Sequence, residues 1–133
     1  SRGINNMTQY YMNSEHKERF VDMIISDNMS DGDLERASLF YIISGNKELY
    51  NKRGYIYNCN SHCINSRFDK SGVDFTSSMT ALIRLGFNLY NGWSDKYTTP
   101  IEILGGLDNR NLELATNALM IRFDSDFLPE LLG

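Results

Sequence analysis

A mainly α-helical single domain of five or six helices, carrying at most a small two-stranded β element, is the fold class this sequence predicts. Three observations lead there. Only two prolines, Pro100 and Pro129, interrupt 133 residues. Apolar residues recur at i, i+3 and i+4 in separate blocks along the chain. Capping residues and glycines bracket those blocks at the places where helices start and stop.

Ser14 reads as the first N-cap, with Glu15 and Glu18 placed well for the helix dipole. Phe20, Val21, Ile24 and Ile25 then give an apolar face to a helix over 14–28. Asp27 to Glu35 is acidic, contains Gly32, and reads as a turn followed by a new helix start. Leu34, Ala37, Phe40, Tyr41 and Ile43 continue that helix to Ser44, and Gly45-Asn46 stops it. A short helical turn through Leu49 and Tyr50 follows.

Residues 51–75 form an irregular stretch, in which Tyr55-Ile56-Tyr57 is the best strand candidate. A loop of this length in a compact domain is uncommon and often functional. Thr76 or Ser77 caps the strongest helix. Its apolar residues Met79, Leu82, Ile83, Leu85, Phe87, Leu89 and Tyr90 cover more than one face, which predicts a central, mostly buried helix ended by Asn91-Gly92. Thr99-Pro100 opens a short helix stopped by Gly105-Gly106. Asp108 caps the next, with stripes Leu112, Ala115, Leu119 and Leu114, Ala118, Ile121. The division expected is a polar lead at 1–6, added or disordered, a helical domain over 7–125, and a tail at 126–133. Met7 or Met12 is the expected native start. In the tail, Phe127, Leu128, Leu131 and Leu132 are available to dock.

Charge and composition narrow the function classes. The chain has 13 basic and 17 acidic residues, a net charge of −4. Neither half is a basic arm, so nucleic-acid binding is disfavoured. No apolar run is long enough to cross a membrane. No signal peptide is visible, and the two cysteines, Cys59 and Cys63, are too close for a disulfide to add much stability. A cytoplasmic protein with reduced thiols is the expectation. There is no GxGxxG, no GxxxxGK[ST] and no HExxH, and only two histidines, so catalysis has little support, no catalytic residue is assigned and no cofactor is expected; paired acids converging from distant positions keep a carboxylate-based enzyme open. No heptad repeat argues for a coiled-coil dimer, although a homodimer stays open.

Four constellations remain. Cys59, His62 and Cys63 have the residue types of a zinc site, with Asp69 as a fourth candidate, but no second ligand pair exists and an ordinary loop with two thiols is favoured. Asp27, Asp31, Asp33 and Glu35 lack calcium-loop spacing and read as a solvated helix start. Arg84 and Asn88 share a face of an apolar helix. They are expected to form a structural ion pair, with an acid such as Glu35, and a bond to backbone; the alternative is a pocket or partner contact. Arg53, Tyr55 and Tyr57, with Lys52 and Tyr50, have the composition of a stacking platform or of a protein-binding hot spot, if they are not core. Trp93 is a second anchor or a lid over the core.

Several of these segments carry a resemblance. His16-Lys17-Glu18-Arg19-Phe20, Asp33-Leu34-Glu35-Arg36, Leu39 to Asn46, Leu49-Tyr50, Ala81 to Gly92, Thr99-Pro100, Leu107-Asp108 and Ile121-Arg122-Phe123 together resemble an uncharacterised family of small proteins in Gram-positive bacteria and their phages. The likeness spans roughly Met12 to Phe123, and Asn58 to Gly72 match no family motif. No activity is implied. The resemblance does imply a mobile-element setting. With the missing catalytic motifs and the tyrosine-rich 50–57 segment, it leads to the function expected: a non-enzymatic protein-interaction module with an unidentified protein partner, an inhibitor of a host defence or regulatory protein being one form of it. The alternative is a small metal- or nucleic-acid-binding protein using the 51–75 loop.

Overall fold

A computed structural model describes residues 10–132. The expected lead at 1–6 and Met7 lie outside the described residues. Within them the chain is mainly α-helical, with seven helices and one two-stranded antiparallel sheet.

Helix α1 (Ser14–Asp27) is capped by Asn13, whose side chain accepts the His16 N–H at 2.8 Å. The expected cap, Ser14, is already inside the helix and bonds to Glu15 instead. Asn28 ends α1 in the left-handed region at φ 55°. The buried face is His16, Phe20, Met23 and Asp27. Two of its four members are polar, so apolar spacing points to the wrong side: Ile25 is 71% exposed. His16 tolerates burial because both ring nitrogens are bonded. Nδ1 accepts the Met12 N–H and Nε2–H donates to the Tyr41 carbonyl, each at 3.0 Å. Burial then drives its pKa down to about 4.

Helix α2 (Leu34–Gly45), capped by Asp33 through the Arg36 N–H, is buried at every residue from Ala37 to Gly45. The two serines in that stretch are satisfied within the helix, donating to the Glu35 and Tyr41 carbonyls. A helix apolar all round belongs in the centre, and α2 packs against α1, against α4 (Ser77–Asn91) and against α6 (Asn109–Phe123). The central position expected for α4 is thus taken by α2. Gly86 lets α4 approach closely, since a Cβ there would lie 2.8 Å from the Leu39 side chain.

Asn46 caps the short α3 (Lys47–Asn51). Arg53–Tyr55 then curls into a 3-10 turn, so the strand begins later than expected. Strand β1 (Tyr57–Asn58) pairs with β2 (Cys63–Ile64), Tyr57 opposite Ile64 and Asn58 opposite Cys63. A second 3-10 turn, Phe68–Lys70, sinks Phe68 into the core. Thr76 caps α4 and Gly92, at φ 79°, closes it. Thr99 caps α5 (Pro100–Leu104) and Asp108 caps α6. Most of the expected tail forms α7 (Phe127–Leu132), with Phe127, Leu128 and Leu131 buried. Tyr10 packs edge-on against Phe127 at 5.0 Å, and the Tyr11 hydroxyl donates to the Leu131 carbonyl. No helix among the described residues is long and apolar enough to cross a membrane.

Candidate functional site

The 51–75 segment is fastened to the helices by one buried carboxylate. Asp27 closes α1 and is 2% exposed. Both burial and the negative end of the helix dipole oppose a charge there. Three partners offset that cost. Oδ1 accepts the Tyr57 hydroxyl at 2.7 Å and the His62 Nδ1–H at 2.9 Å. Oδ2 makes no hydrogen bond but faces the Arg36 Nε at 3.6 Å. The same guanidinium bonds Asp33 at 2.9 Å, so two carboxylates share one arginine. Burial, reinforced by the Asp27 carboxylate, pushes the Tyr57 phenol up. The solvated helix start expected of this acidic stretch therefore fails at Asp27. Its hydrogen-bond partners lie 30 and 35 residues further on. The only sequence signal is an aspartate at a helix C-terminus, the wrong end for its charge.

His62 is held twice. Its ring is on Asp27, and its carbonyl accepts the Tyr90 hydroxyl at 2.8 Å. Its backbone sits at φ 58°, a conformation with a cost for a residue other than glycine. Asn58 Oδ1 accepts the N–H groups of Asn60 and Ser61, closing the hairpin turn. The Tyr57 ring packs edge-on against Phe40 and Tyr90. Helices α1, α2 and α4 thus each hold the hairpin by a side chain. Tyr57 is consequently an anchor and not part of an exposed aromatic surface.

What the segment exposes is different. Tyr55 is 53% exposed. The exposed Arg53 guanidinium lies 4.0 Å from the Tyr50 ring centroid and donates to the Tyr50 carbonyl. Asn65 joins the two halves of the segment, its N–H to the Ile56 carbonyl and its side chain to the Tyr55 carbonyl. Lys52 bonds the Asp74 carbonyl. Cys59 and Cys63 are free and exposed. The Cys63 thiol donates to the Ser61 carbonyl, while the His62 ring turns to Asp27. Among the described residues no three His, Cys, Asp or Glu side chains form a metal-holding group.

Arg84, Asn88 and Trp93 belong to another region. Arg84 pairs with Asp95 at 2.9 Å, not with Glu35, which faces Arg122 at 3.8 Å. Burial raises the Asp95 carboxyl, but bonds from Arg84, Thr98 and the Tyr97 N–H outweigh it and hold the group below its ordinary value. Asn88 donates to the Trp93 carbonyl, the expected bond to backbone. Trp93 stands edge-on to Phe87 and Phe68, a lid over the core. These three residues fix the 92–99 loop. That loop, α5 and α6 border an apolar trough of about 230 Å³ lined by Leu85, Asn88, Leu89, Ile103, Leu119 and Phe123. Phe123, on its wall, is 72% exposed, and Ile101 on α5 is 77% exposed.

Fold and site together define a small mainly α domain that carries a loop fastened by buried side chains. The chain belongs to a family of unknown function, DUF6075, whose model matches residues 6–130. No curated protein and no solved structure matches the chain.

Proposed function

We propose that this chain is a non-enzymatic protein-interaction module of a phage or other mobile element, acting in the cytoplasm on a host defence or regulatory protein. The observation that carries this reading is the fastened 51–75 segment. A loop built on a buried carboxylate loses little conformational freedom on binding, which lowers the entropic cost of association. The residues it presents suit a protein contact. Exposed tyrosine and arginine dominate binding hot spots, and Asn and Ser supply adaptable hydrogen bonds beside them. The exposed Phe123 on the wall of the apolar trough adds a second apolar surface of the kind that marks interaction sites. The phage setting rests on the sequence resemblance.

The test is affinity capture by the tagged full chain from a nuclease-treated Gram-positive host lysate, read by mass spectrometry. One stoichiometric protein is expected with the wild type, lost with the double change Arg53→Ala, Tyr55→Ala. Both side chains are exposed, so the variant keeps its fold. No captured protein, or equal capture by the variant, overturns the reading.

A further inference from the structure

Resting on the reading just proposed, we infer that the partner brings an acidic protein segment, and that Arg53, Arg67 and Lys70 around Tyr55 receive it. Residues 51–75 carry four cations, Lys52, Arg53, Arg67 and Lys70, against two carboxylates, Asp69 and Asp74. The segment's net charge is +2, so the rest of a chain of −4 carries −6. The 51–75 segment is therefore a positive region of an acidic chain.

These charges share one lobe. Asn65 ties the 53–56 turn to the strand that leads into Arg67. Lys52 ties the same turn to Asp74, and its ammonium lies 5.6 Å from the Phe75 ring centroid. Phe68, between Arg67 and Lys70, anchors that side in the core. None of the four cations is in an ion pair among the described residues. Arg53, Arg67 and Lys70 are exposed. Three arginines elsewhere are committed to carboxylates: Arg36 to Asp27 and Asp33, Arg84 to Asp95, Arg122 to Glu35. An unpaired cation beside an exposed tyrosine can gain a carboxylate from a partner without first breaking a bond to one of its own.

The same charge map favours a short acidic peptide over a nucleic acid. Charges are screened over about 8 Å at physiological ionic strength. A few carboxylates seated on the lobe feel mainly its cations. A polyanion that runs beyond the lobe meets the surrounding negative surface.

The experiment is fluorescence anisotropy at low salt with the full chain and three labelled probes: a short Glu- and Gly-rich peptide, its counterpart with Lys for Glu, and an oligouridylate of matched length. The acidic peptide is expected to bind more tightly than the lysine peptide, and to weaken as NaCl rises. The double change Arg67→Ala, Lys70→Ala should weaken it about tenfold. Lys17→Ala, a cation on α1 outside the lobe, should leave it unchanged. Equal binding of the two peptides, or no effect of the double change, overturns the inference. Tighter binding of the oligouridylate overturns it in favour of single-stranded nucleic acid. Lysate capture separates this failure from that of the parent reading. A partner retained by the Arg67, Lys70 variant but lost with Arg53 and Tyr55 overturns the acidic contact alone.

Discussion

At the scale of single residues, the protein's polar side chains divide by where their partners sit in the chain. Partners within one turn are the more legible in the sequence: Thr76, Thr99 and Asp108 are expected caps and cap in the fold, and the expected cap at Ser14 is off by one residue. Long-range partners are not. Arg84 on an apolar helix needs an acid, and it has one, but the acid is Asp95 just past the helix end and not Glu35 on α2. Asp27 gives almost no warning, because its burial depends on Tyr57 and His62 folding back onto it. His16 yields a prediction of its own. The folded chain holds it neutral, with a pKa near 4 against an ordinary 6.5. Between those values the unfolded chain binds more protons. Stability is therefore complete above about pH 6.5 and falls as pH drops toward 4, by about 3 kcal/mol for this group. Urea unfolding of wild type and His16→Gln at pH 7 and pH 4 checks it. Gln keeps a donor and an acceptor but does not titrate, so the stability gap between the two proteins should shrink in acid. Parallel losses would mean that His16 does not set the acid sensitivity.

At the scale of elements, periodicity finds the helices but misplaces two of their faces. Val21 and Ile25 carry the right spacing for a core stripe, yet α1 turns them outward and buries His16 and Asp27 instead. Apolar spacing has no means of scoring a polar residue whose partners come from elsewhere. The same limit exchanges the centres of α2 and α4: the serines of α2 count against burial on any hydropathy scale, but bond inside their own helix. The start of α1 offers a sharp test. Asn13→Ala removes the bond to the His16 N–H and should cost about 1 kcal/mol, whereas Ser14→Ala, one position inside, should stay within about 0.5 kcal/mol. Chemical denaturation of the two single variants measures both. Equal costs would return the cap to Ser14.

For the molecule as a whole, fold class is legible in the sequence, and so is the place of the irregular segment. The site splits in two. Arg53 and Tyr55 stay on the 51–75 lobe, and Arg84, Asn88 and Trp93 brace the 92–99 loop. The end of the chain stays open in the sequence because a few apolar side chains in a short terminal segment do not say what they will meet. They meet the core beneath Tyr10 and Tyr11. Deleting Phe127–Leu132 should lower the unfolding free energy by several kcal/mol, since burial of each such side chain is worth at most about 1.5–3 kcal/mol. That is a large part of the roughly 5–15 kcal/mol that holds a domain of this kind together. A urea midpoint unchanged by the deletion would mean that α7 is an ornament.

The bond from Tyr11 to Leu131 also has a topological meaning. It brings the two ends of the described chain to one spot, so the fold enters and leaves through a single doorway. Chain that enters at Tyr11 and chain that leaves at Leu131 do so at the same corner. The described residues 11–131 thus form a cassette closed at its base, with the 51–75 and 92–99 loops displayed away from the closure in sequence.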